Sequence, residues 1–116
     1  MRQTANRGII SPFPYAAEKF AAARRSLMLP HSAGEARSIA AAFHECLLGL
    51  KDIRSEDLDD NASMWVAKIQ QMMDVTGIED PLGVGTWEMK ARQLSDADKI
   101  ELRNSVDELA FWFDRQ

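Results

Sequence analysis

The chain is poor in the features that commit a sequence to a known chemistry. It holds one cysteine in 116 residues, Cys46, so no intramolecular disulfide is possible and a reducing compartment fits. No apolar run approaches the roughly 18 residues that a membrane-spanning helix needs. Two arginines open the chain, but no apolar segment follows them, so the N-terminus does not read as a secretory signal. These absences point to a cytoplasmic protein with no membrane partner. No segment alternates apolar and polar residues with β-branched enrichment, so strands are not expected. Internal repeats and low-complexity tracts are missing as well. A basic surplus is also lacking: the formal net charge of −4 argues against a nucleic-acid partner.

What is present is a helical protein of single-domain size. Its charge is uneven, since residues 1–44 carry a net +4 and residues 45–116 a net −8. Residues 1–10 have no period and read as a flexible N-terminal arm. Ile9 and Ile10 tie its end to the body. Residues 11–116 form one all-α domain, in which Ser11 can cap a first helix with Pro12 at its first position. Phe13, Ala17, Phe20, Ala23 and Leu27 give that helix an apolar stripe, and Leu29 and Pro30 end it. A second helix spans Ser32–Ile53, opened by a Ser32–Glu35 capping box. A third starts at one of Ser55, Asp57, Asp59, Asp60 or Asn61. It carries Leu58, Ala62, Trp65, Ile69 and Met72 on one seam, and Gly77 is placed to close it. Residues 77–86, with three glycines and a proline, are a loop. Thr86 can cap a short helix with Trp87, Ala91 and Leu94. Ser95 and Asp98 form a capping box for the last helix, whose stripe is Leu102, Val106, Leu109 and Phe113. The expected architecture is an antiparallel bundle of four main helices plus one short helix.

Few residues can carry chemistry. His44, Glu45 and Cys46 are adjacent, but successive helix residues do not face each other. At about 100° per residue, Ile39, Phe43, Leu47 and Leu50 share the apolar face, with Cys46 flanking it. Glu45 points to solvent and His44 lies on the boundary. Small residues at Ala42 and Gly49 would let a neighbouring helix come close. Arg37 and His44 share one stripe, about 10 Å apart by rise.

That arginine, six intervening residues and a histidine on a small all-α domain resembles the R-x4-6-H pattern of HEPN-type domains. Many of these are metal-independent ribonucleases. The resemblance implies that Arg37 and His44 would be a catalytic pair, often shared across a dimer. Ser38 stands where that family usually has Asn, Asp or His. A second enzymatic reading takes the acid pairs Glu56/Asp59 and Asp98/Glu101 as Mg²⁺ ligands, as in all-α nucleotide pyrophosphohydrolases. Their plainer role is to complement helix N-termini. Gly83-Val84-Gly85-Thr86-Trp87 follows no strand and reads as a structural turn.

The aromatic end is the remaining feature. Leu109-Ala110-Phe111-Trp112-Phe113 covers the whole circumference of a helix, so Phe111 or Trp112 must be met by another element or by a partner. The expected role is protein–protein contact as a homodimer, with Phe111, Trp112, Ile9 and Ile10 at the interface and no cofactor. The ribonuclease and Mg-dependent hydrolase are the alternatives. A groove for a small apolar ligand, lined by methionines such as Met72 and Met73, is a third.

Overall fold

The computed structural model describes residues 12–28, 31 and 33–116. Ile9, Ile10, Ser11, Leu29, Pro30 and Ser32 lie outside them, and so do the expectations placed on these residues. The described residues form five α-helices: α1 Pro14–Leu27, α2 Glu35–Leu50, α3 Asp60–Met73, α4 Thr86–Gln93 and α5 Asp96–Arg115. A single 3-10 turn, Ser55–Asp57, precedes α3, and no strand occurs among the described residues. The protein is all-α.

Helix α1 packs between α2 and α5, α3 packs on α5, and α4 lies against α2 and touches α3. Side-chain contacts give the directions. Phe13 at the head of α1 meets Phe113 at the tail of α5, while Arg24 farther along α1 meets Asp107. In the same way Asp59, before α3, bonds Trp112, and Lys68 bonds Glu101. Both pairs of helices therefore run antiparallel. The core contains Phe20, Phe43, Phe113, Ile69, Leu102, Leu109 and Val106, all fully buried. Met72 is buried in the same core and Met73 packs against it.

The helix ends differ in detail from the sequence reading. Helix α1 begins at Pro14, whose missing N–H and fixed φ suit a first position, with Phe13 as the residue before it. Helix α2 begins at Glu35. Gly34 precedes it at φ +100°, a conformation that costs glycine little, and no side-chain cap is present among the described residues. Glu35 is the first helical residue and its carboxylate goes to Lys99, 2.7 Å away. Helix α2 stops at Leu50, before Ile53. Asp59 caps α3, accepting from the Ala62 N–H at 2.8 Å. That helix ends at Met73, ahead of Gly77, because Asp74 turns its carboxylate onto the Thr76 N–H and hydroxyl and competes for the backbone. Thr86 is inside α4 and Gly85 is its cap. The Ser95–Asp98 capping box of α5 has both bonds in place.

One core position is poorly matched to its surroundings. Ser105 is 1% exposed on α5, and its hydroxyl has no hydrogen-bond partner among the described residues. An unsatisfied buried hydroxyl costs on the order of 1–3 kcal/mol, and alanine is the better helix former. Ser105→Ala is expected to stabilise the fold by about 1 kcal/mol. Thermal unfolding checks this: an unchanged or lower midpoint would refute it.

Candidate functional site

The apolar arc of α2 predicts that Ile39, Phe43, Leu47 and Leu50 are buried. The buried line is instead Ile39, Ala42, Phe43, Cys46 and Gly49. The reason is α1, which comes so close that a Cβ on Gly49 would stand 3.0 Å from Lys19 Cβ and 3.1 Å from the Phe20 ring. The face turns toward its small residues, and Leu47 is left 51% exposed. Cys46 is a core thiol, and burial, with the nearby Glu45 charge, pushes its pKa up to about 12. It is not a nucleophile at neutral pH. Glu45 does not point freely to solvent: its Oε2 is buried and lies 3.7 Å from Lys19 Nζ. The adjacent His44, Glu45 and Cys46 therefore meet three different surroundings.

Arg37 and His44 lie on the flank of α2 that faces α4. There the Arg37 Nε stands 3.5 Å from Glu88 Oε1, and Arg92 donates to the other Glu88 oxygen at 2.9 Å. Glu88 is buried and held between two guanidinium groups. His44 is exposed, with its ring 6.4 Å from that of Trp87, whose indole N–H donates to the Met73 carbonyl. Arg37 is thus on the same side as His44, but its charge is matched by Glu88 and its side chain is 65% exposed. Sequence reasoning missed Glu88. The Glu88–Arg92 spacing of four on α4 is a visible ion-pair signal, but nothing local marks the carboxylate as buried.

The four acidic candidates for Mg²⁺ are dispersed. Glu56 pairs with Arg54 at 3.1 Å, Asp98 caps α5, and Glu101 pairs with Lys68 at 2.8 Å. Asp59 accepts from Ala62 N–H and from Trp112 Nε1, and these two bonds hold it below the usual carboxylate range. Among the described residues no group of three or more His, Cys, Asp or Glu side chains is placed to hold a metal ion.

The aromatic end of α5 divides. Trp112 is half-buried, stacked on Phe13 with centroids 6.2 Å apart and hydrogen-bonded to Asp59 at 2.9 Å. Phe113 is core. Phe111 is 59% exposed, with the Arg115 guanidinium 4.5 Å from its ring centroid. It borders a groove of about 510 Å³ between α1 and α5. Ala17, Ala21 and Ala110 lend the groove small side chains, and Met28, 58% exposed, lies at the other end of it. Arg24 and Asp107 bridge it at 3.1 Å, and Arg25 and Asp114 also line it. Sequence reasoning found Phe111 and missed Met28, which follows the last residue of α1. No helix among the described residues is long and apolar enough to cross a membrane. In comparisons with known proteins, the chain matches no protein-family model, no curated protein and no solved structure.

Proposed function

We propose that this protein acts through protein–protein contacts as a homodimer, with the groove between α1 and α5 as its contact face. The observation that carries this reading is the position of Phe111 and Met28. Both are more than half exposed, and both border a single groove lined with alanines. Large exposed apolar side chains beside small ones give the relief that a close-packed interface uses, and aromatic residues are its usual anchors. Trp112, expected at the same interface, has contacts inside the monomer, so Phe111 is the residue that a partner would meet. The ribonuclease alternative draws on less, since Arg37 is already paired with Glu88.

Sedimentation velocity over a wide concentration range tests the reading. The wild-type chain is expected to sediment as a dimer. Phe111→Glu and Met28→Glu, which place charges in the contact face, are expected to give folded monomers. A wild-type monomer at high concentration would overturn the proposal.

A further inference from the structure

The charges around the groove carry the reading further. A two-fold dimer uses the same patch on both copies, so the patch must be complementary to itself. The α1 wall of this groove is basic, with Arg24 and Arg25, and the α5 wall is acidic, with Asp107 and Asp114. Arg24 and Asp107 are paired within the chain. Arg25 and Asp114 are exposed and have no ion-pair partner among the described residues. They also lie toward opposite ends of the groove. Helices α1 and α5 are antiparallel, so Asp114, in the last turn of α5, is level with the first half of α1. Arg25 is near the end of α1, roughly 15 Å farther along at 1.5 Å per residue. Within one chain the two are separated. A copy turned over about a two-fold axis lying obliquely across the groove, near Ala21 and Ala110, brings each one opposite the other.

We infer that two copies of this chain cross their α1/α5 grooves, with Arg25 of each copy paired to Asp114 of the other. The inference rests on the homodimer reading above and adds its register. The alanines at Ala17, Ala21 and Ala110 let the backbones approach. Phe111 and Met28 fill the space beside them, and the reciprocal Arg25–Asp114 pairs select the two-fold arrangement. A partner of a single charge sign would leave one wall of the groove facing its own sign.

The test is a charge swap carried out between copies. Arg25→Glu alone sets a new carboxylate against Asp114 twice per dimer. Asp114→Arg alone sets a new guanidinium against Arg25, again twice. Each single variant is expected to weaken the dimer about tenfold or more. An equimolar mixture of the two single variants is expected to recover a dimer of wild-type strength, because each heterodimer pairs opposite charges at both contacts. The double variant in one chain is expected to recover it as well. Both residues are exposed, and unchanged circular dichroism and melting of the dilute monomer confirm that the variants fold. If the wild type dimerises and Phe111→Glu dissociates it, but the single variants bind normally or the mixture does not recover, the register is wrong and the homodimer reading stands. A monomeric wild type overturns both.

Discussion

Replacing Phe20 by alanine is expected to lower the free energy of unfolding by about 3–5 kcal/mol. The side chain is fully buried at the point where three helices meet. Its ring stacks on Phe113 of α5 with centroids 5.3 Å apart, and its edge lies against the Gly49 backbone of α2. Truncation removes the apolar area, the aromatic pair and the filler of the α1–α2 contact together. The neighbours cannot close the space, because Phe113 is pinned by Phe13 and Trp112. A domain of this size is stable by roughly 5–15 kcal/mol, so the loss takes a large share of it. Urea denaturation of dilute protein measures the effect as a lower midpoint with an unchanged slope. Phe111→Ala is the control, since an exposed phenylalanine should alter monomer stability by less than about 0.5 kcal/mol. Similar losses for Phe20 and Phe111 would contradict the division of the aromatic end into a buried and an exposed part.

Most of the helical order is legible in the sequence because periodic apolar residues and capping chemistry are local. Ser95 and Asp98 specify the start of α5 by themselves, and the bonds expected of them are in place. Glu35 is the contrasting case: its carboxylate bonds Lys99, 64 residues away, and no window of sequence contains that partner. Leu47 illustrates a second limit. A wide apolar arc on α2 can turn any part of itself inward, and the choice is made by how near α1 can come. Glu88 is the third case, because one of its two guanidinium partners, Arg37, lies 51 residues earlier. The five apolar residues at the end of α5 did announce an excess of apolar surface. Which of them stays exposed was decided by Phe13 and Asp59, which take Trp112 and leave Phe111.

Gly49 is where sequence and packing make opposite forecasts, and its substitution has the second large expected effect. On an exposed helix, Gly→Ala stabilises by about 1 kcal/mol through backbone entropy. Gly49 is buried, and a Cβ there would meet Lys19 Cβ at 3.0 Å and two atoms of the Phe20 ring at 3.1 and 3.2 Å. Neither neighbour yields easily. Lys19 Cβ is attached to the α1 backbone, and Phe20 is locked between Gly49 and Phe113. To admit a methyl group, α1 must move off α2, which loosens the contacts of Phe20 with both helices. Overpacking of this kind costs about 1–3 kcal/mol. Gly49→Ala is therefore expected to destabilise by about 1 kcal/mol net, against the sign of helix propensity. Gly49→Leu is expected to cost about 3 kcal/mol, the upper part of the overpacking range, because the side chain cannot be placed without separating the helices. Thermal unfolding of both variants measures the order wild type, Ala, Leu. A more stable Gly49→Ala would mean that α1 has room to shift, and the close α1–α2 approach would no longer account for the exposure of Leu47.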